Sequence, residues 1–146
     1  MSAPTFDAVQ VGDVLPEQTF ALERADLVRY AGASGDFNPI HWHERVAREV
    51  GLPGVIAHGM LTMATAVRVV TTWTGDPGAV VEYGVRFTQP VPVDDAAGAR
   101  LTVGGVVATK DDATRTVRVD LTATTVGPDG APVSVLTRAR AVVRLA

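Results

Sequence analysis

Apolar and polar positions divide this chain into a helical first half and a strand-rich second half. Residues 17–23 alternate weakly, which predicts a strand. Leu27, Val28, Tyr30 and Ala31 recur at helical spacing, so 24–33 is expected to form a short helix. Ser34-Gly35-Asp36-Phe37-Asn38-Pro39 is dense in turn residues and breaks it. A second short helix is expected over 43–50, with Gly51 as its C-terminal cap. Between Gly59 and Trp73 the residues Met60, Leu61, Met63, Ala64, Ala66, Val67, Val69 and Val70 leave almost no polar face. A helix apolar all round is expected to be buried all round, so something must wrap it.

The second half supplies the wrapping. Val81, Tyr83, Val85 and Phe87 alternate with Glu82, Gly84, Arg86 and Thr88, the pattern of a half-buried strand ended by Pro90 and Pro92. Residues 101–109 predict another strand, and Lys110-Asp111-Asp112-Ala113 a turn. Val117, Val119, Leu121 and Ala123 alternate with polar residues, Gly127-Pro128-Asp129-Gly130 is a strong turn signal, and 133–145 completes the set. Short connections favour antiparallel neighbours. The expected fold is α+β, a curved antiparallel sheet around one long buried apolar helix.

Candidate chemistry concentrates in the turn. Asp36 and His41 lie off any periodic apolar face, in a segment where Pro39 restricts Asn38 to extended backbone. Such a turn can aim a carboxylate and an imidazole at one small molecule, and histidine exchanges protons near neutral pH. The bland alternative is that Asp-x-Asn-Pro is only a turn signature, since Asp and Asn bond their own backbone. His41-x-His43-Glu44 offers metal-ligand types without a third ligand at recognised spacing, so no metal site is expected. His58-Gly59 opens the apolar helix, whose first N–H groups lack intrahelical partners and carry the positive end of the dipole. The Gly59 N–H could hold an oxyanion. Equally, Gly59 could serve helix packing, and His58 could be a core or capping residue.

Composition narrows the setting. The 146 residues suit one domain over 1–146, with 47% hydrophobic and 20% charged residues, ordinary for a soluble globular protein. A formal charge of −3 without a basic run gives no footprint for nucleic acid. Disulfide and thiolate chemistry are excluded by the absence of cysteine. The N-terminal residues do not read as a signal peptide, and the 57–73 stretch is too short and polar to span a bilayer. The expectation is a cytoplasmic protein.

Tyr30-Ala31-Gly32-Ala33-Ser34-Gly35-Asp36-Phe37-Asn38-Pro39-Ile40-His41, followed by Ala47, resembles the hydratase 2 motif of MaoC-like proteins. Ala57-His58-Gly59-Met60 resembles the start of that family's hot-dog helix, and the likeness runs on through Asp76-Pro77-Gly78 and Val85-Arg86-Phe87. In particular the chain is similar to the catalytic beta subunits of actinobacterial (3R)-hydroxyacyl-ACP dehydratases. The resemblance implies a hot-dog fold and reversible syn hydration of trans-2-enoyl thioesters of CoA or acyl carrier protein to (R)-3-hydroxyacyl thioesters. It implies that Asp36 and His41 activate the water and that the Gly59 N–H polarises the thioester carbonyl. Asn38, Ser34 and His58 would be supporting residues, with turn-forming roles open for Asn38 and Ser34. No cofactor or metal is implied. The expected partner is a second hot-dog subunit, either a copy of this chain or a homologue lacking the catalytic pair. A hot-dog thioesterase and a non-catalytic acyl-binding subunit are the competing readings. Residues 60–73 lack the acid that such thioesterases usually place on or near this helix.

Overall fold

The computed structural model describes residues 3–146. Its elements run β1 (Val14–Leu22), α1 (Arg24–Ser34), a 3-10 turn (Pro39–His41), α2 (Glu44–Glu49), α3 (Gly59–Thr74), a second 3-10 turn (Pro77–Ala79), β2 (Val80–Phe87), β3 (Ala99–Asp111), β4 (Thr116–Val126) and β5 (Pro132–Arg144). All five strands form one antiparallel sheet in the order β1-β3-β4-β5-β2. Strands β3, β4 and β5 are a meander joined by tight turns, as the turn signals predicted. Strand β2 pairs with β5 at the far edge, so residues 88–98 must carry the chain across to β3 beside β1.

Inward side chains of the central strands are small and mostly β-branched. Val117, Val119, Leu121 and Ala123 of β4 are buried as their alternation required, and Leu101, Val103 and Val107 of β3 meet them. Each fully buried Val or Leu contributes roughly 1.5–3 kcal/mol. α3 lies against this surface and joins the same core through Ala66, Val69 and Val70.

Two expectations need correction. First, α3 is buried on one face only. Thr62, Thr65, Ala66, Val69, Val70 and Thr74 face the sheet, while Met60 (56% exposed), Ala64, Arg68 and Thr72 face outward. Threonines enter the core because each hydroxyl is satisfied locally. Thr65 donates to the Leu61 carbonyl at 2.8 Å and Thr62 to that of His58 at 3.3 Å. Second, the alternation of β2 does not sort its side chains cleanly, because register shifts at Val80/Glu82 and Gly84/Arg86 interrupt its pairing with β5. Val81 and Phe87, expected inside, are about half exposed.

One-sided burial has a direct consequence for stability. Val70→Ala should cost on the order of 2 kcal/mol through lost transfer energy and a residual cavity. Thr72→Ala, on the outer face, should stay within about 0.5 kcal/mol of the parent. Urea unfolding of both variants checks this, and equal losses would contradict the assignment of faces.

Candidate active site

The site forms where α1 ends. Gly35 closes α1 in the left-handed conformation (φ 76°), its N–H bonding the Ala31 carbonyl at 2.9 Å, and so turns the chain sharply into Asp36. Ser34 donates its hydroxyl to the Tyr30 carbonyl and accepts the Asp36 N–H. Asp36 Oδ1 accepts the Asn38 N–H at 3.2 Å, and Asn38 Oδ1 accepts the Ile40 N–H at the start of the 3-10 turn. Ser34 and Asn38 therefore shape the backbone that carries the pair, and the structure gives them turn-forming roles.

The 3-10 turn then aims His41 inward. Contrary to the expectation of a residue outside the core, His41 is 7% exposed, whereas the Asp36 side chain is 52% exposed. Ile56 holds His41 in place through its backbone. Its N–H bonds the Ile40 carbonyl at 3.2 Å, and its carbonyl lies 2.8 Å from His41 Nδ1. A carbonyl only accepts, so Nδ1 carries the proton and, in the neutral ring, Nε2 carries the lone pair. Nε2 stands 3.9 Å from Asp36 Oδ2. Two acceptors at that spacing can both lie at hydrogen-bond length from one oxygen bearing two protons. A water held so has both O–H bonds committed and a lone pair free to attack.

Ile56 is held from its other side by residues that sequence reasoning passed over. The Ala57 N–H bonds the Val91 carbonyl and the Val93 N–H bonds the Val55 carbonyl, each at 2.9 Å. This short ladder runs through the proline-flanked crossing connection, and buried Val91 and Val93 anchor it. Ile56 and Phe87 are the residues missed. A backbone carbonyl leaves no sequence signal, while Phe87 was placed on the inward face of β2 without being linked to the site.

A cavity of about 300 Å³ opens on the pair at His41. Its walls are mostly apolar, from Ile56, Phe87, Pro90, Val91 and Val135, with Thr62, Thr88 and Gln89 among them, and Gly59 lies on its surface at the start of α3. No side chain caps that helix end. A methyl group at Gly59 would meet the Phe87 ring at 3.2 Å, so glycine here serves close packing as well as exposing an N–H. Gly59→Ala would thus move the cavity wall, and a kinetic defect alone would not single out the N–H.

His58 is 1% exposed, stacks on His41 with ring centroids 3.8 Å apart, and lies 3.1 Å from the Asp36 carbonyl through Nε2. Asp36, His41 and His58 carry ligand-type atoms within 4.8 Å of one another. Both histidines, however, already commit one nitrogen to a backbone carbonyl. Glu44, considered with His43 as a ligand pair, instead spends its carboxylate on Arg24, Arg48 and the Val55 N–H. The arginines hold it below its usual range. Neither group presents the four donors of a structural zinc site.

Sequence comparison decides the lineage. The profile of the MaoC-like domain matches residues 8–126, most of the chain. The chain belongs to the MaoC-like domain family. Among curated relatives of this MaoC-like chain, a 3-hydroxyacyl-thioester dehydratase X of Mycobacterium tuberculosis is 37% identical over 61% of the chain and 31% of its own length. An (R)-specific enoyl-CoA hydratase of Rhodospirillum rubrum is 36% identical over 61% of the chain and 62% of its own length. The chain thus spans less than two thirds of either relative. A solved MaoC-like dehydratase superposes with a TM-score of 0.92 at 46% identity, covering 99% of this chain and 43% of that one. The hot-dog fold of this MaoC-like domain is therefore shown. Among the described residues no helix is long and apolar enough to cross a membrane.

Burial, and secondarily the adjacent His41, hold the His58 imidazole below its ordinary value of 6.5, against the opposing pull of the Asp36 carbonyl. The unfolded chain therefore binds a proton at this residue below pH 6.5 that the folded chain does not. Stability from this group is complete above pH 6.5 and falls as pH drops from there toward the lower folded value. Urea midpoints should decline between pH 7.5 and 5.5, and less steeply in His58→Gln. Parallel profiles would rule out this origin.

Proposed function

We propose that this MaoC-like domain, residues 1–146 read as one unit, is a hydro-lyase. It interconverts trans-2-enoyl and (R)-3-hydroxyacyl thioesters of CoA or acyl carrier protein, and its place is the dehydration step of fatty-acid elongation. The single observation that carries this is the pair of acceptors, Asp36 Oδ2 and His41 Nε2, 3.9 Å apart beside an apolar cavity. The names of the relatives, dehydratase and hydratase, point the same way.

In the hydration direction the pair holds a water by both protons. Its oxygen bonds to C3 as one O–H bond breaks, and that proton passes to the pair. The C2=C3 electrons move toward the thioester carbonyl, whose oxygen gains negative charge. The Gly59 N–H, at the positive end of α3, is suited to stabilise that oxygen. A proton from the pair then reaches C2, and delivery of both groups from one side gives syn addition. Elimination is the reverse. None of these steps calls for a metal or cofactor, and the apolar walls suit an acyl chain. A cytoplasmic setting agrees with the cysteine-free sequence.

Asp36→Asn and His41→Gln should each lower crotonyl-CoA hydration by ~10²–10⁴-fold, the usual cost of losing a positioned acid or base. His41→Gln is preferred to alanine because His41 is buried, and truncation there would confound activity with folding. Product analysis of the parent protein tests the class itself. Hydrated product supports a hydratase, release of free CoA would make it a thioesterase, and neither would leave a binding subunit.

The working unit is a pair of hot-dog subunits, either two copies of this chain or one copy with a homologue lacking the catalytic pair. β2 is an unpaired sheet edge, and its Val81 and Phe87 are half exposed. The similar solved chain extends well beyond its matched 43%, which leaves room for a second unit there. Sedimentation at assay concentration, alone and with candidate partners, should find the active species larger than one chain. A fully active monomer would refute the pairing.

A further inference from the structure

The proposed reaction uses Asp36, His41 and Gly59, but it leaves unexplained the most deeply buried polar side chain among the described residues. His58 is buried to 1% exposure, and its Nδ1 is buried without any hydrogen-bond partner. Buried polar atoms are nearly always bonded, and an orphan costs about 1–3 kcal/mol. Helix capping does not account for the residue. His58 is the N-cap of α3 by position, yet its ring makes no capping bond. Core filling does not account for it either, since a phenylalanine would occupy that space without an orphaned nitrogen.

What the imidazole does make is two contacts with the site. Its Nε2 lies 3.1 Å from the Asp36 carbonyl, so Nε2 must carry the proton and the orphaned Nδ1 the lone pair. Its face lies on the His41 ring, with centroids 3.8 Å apart and planes 23° from parallel. Tyr30 of α1 leans against the same ring at 4.8 Å. The titratable groups facing His58 are thus Tyr30 from α1, Asp36 from the loop and His41 from the 3-10 turn.

We infer that His58 is a positioning residue: its Nε2–H fixes the backbone of Asp36 while its ring face fixes the plane of His41, and together they set the 3.9 Å gap. The inference rests on the hydratase reading for its kinetic consequence but not for its geometry. Each side chain of the pair has a local hydrogen bond, to the Asn38 N–H for Asp36 and to the Ile56 carbonyl for His41. His58 touches both, the Asp36 carbonyl through Nε2 and the His41 ring through its face. A ring pinned at Nδ1 can still swing about that bond, and the stack removes this freedom. The low proton affinity of His58 adds to the arrangement. Burial keeps His58 below the ordinary imidazole value, so the ring stacked on His41 brings no positive charge to the pair at neutral pH.

The test compares the parent with His58→Phe, which keeps the ring and loses the donor, and with His58→Gln, which restores a donor of similar reach. Misplacing reacting groups by about 1 Å costs on the order of 10²-fold in turnover. In crotonyl-CoA hydration, His58→Phe should lose kcat on that scale through the missing donor, and His58→Gln through the missing ring face, each with KM within about twofold. A folded His58→Phe or His58→Gln protein with parental kcat would overturn the proposal. ¹⁵N NMR of the parent histidines gives an independent readout that needs neither turnover nor a folded variant. His58 should appear as the neutral Nε2–H tautomer and His41 with its proton on Nδ1. A His58 protonated on Nδ1 at pH 7 would refute the contact with Asp36. A parent protein that shows these tautomers but hydrates no enoyl thioester would instead sink the hydratase reading and leave the geometry standing.

Discussion

The bond from His41 Nδ1 to the Ile56 carbonyl, 2.8 Å long, is the constraint on which the site depends. It decides which nitrogen of His41 keeps a lone pair, and so what the residue can do beside Asp36. It also ties the loop after α1 to the segment that enters α3. Since Ile56 carries this bond, its own position matters, and the ladder of Val55 and Ala57 with Val93 and Val91 secures it. The site is therefore held by backbone groups of three segments distant in sequence. Backbone donors and acceptors lose little side-chain entropy when fixed, which suits them to hold a geometry to tenths of an ångström.

The fold serves that geometry by making α3 rigid on one side. Its threonines turn hydroxyls back onto the preceding turn and present methyl groups to the valine-rich sheet, so the helix packs without an orphaned polar atom of its own. With that face fixed, Gly59 at the N-terminus of α3 lines the cavity that His41 also lines. The outer stripe is covered only lightly. The Arg68 guanidinium lies 4.5 Å above the Phe20 ring, and Met60 remains exposed.

Much of this was legible in the residues. Helix ends followed from Gly35 and Gly51, both in the left-handed region, and the alternation in β4 placed its core residues correctly. β1 begins three residues earlier than its weak alternation suggested, because Val14 and Leu15 pair with β3 before a register shift. Asp36 and His41 stood out because turn residues and a long motif isolate them from any apolar face. The illegible parts share a cause. Hydrophobic period reports which side chains face a core and is blind to which backbone groups meet. Hence the Val55–Ala57 ladder, the Ile56 carbonyl and the bulges of β2 were invisible. The same blindness applied to α3, since period alone does not say that threonine hydroxyls will be satisfied inside a helix, leaving an alanine and a methionine outside.

Exposure divides the labour within the pair. Asp36 keeps half its side chain in solvent, beside a His41 that is almost wholly covered. His41 is buried, and in the proposed reaction its Nε2 would take a proton where water is scarce. Three groups are arranged to receive that charge: the Asp36 carboxylate, the Ile56 carbonyl at the far nitrogen, and the face of a neutral imidazole from His58. Phe87 completes the site from the other side. Its ring lies against Gly59 and walls the cavity, yet it belongs to the free edge strand and is 49% exposed. Anything laid along β2 would touch the ring that shapes the cavity, whereas the Asp36–His41 pair is held by α1, the crossing connection and α3. In the proposed reaction Phe87 would adjust the acyl fit from the edge strand, whereas Ile56 and Val91 both wall the cavity and secure His41, so a change there would reach the proton chemistry as well.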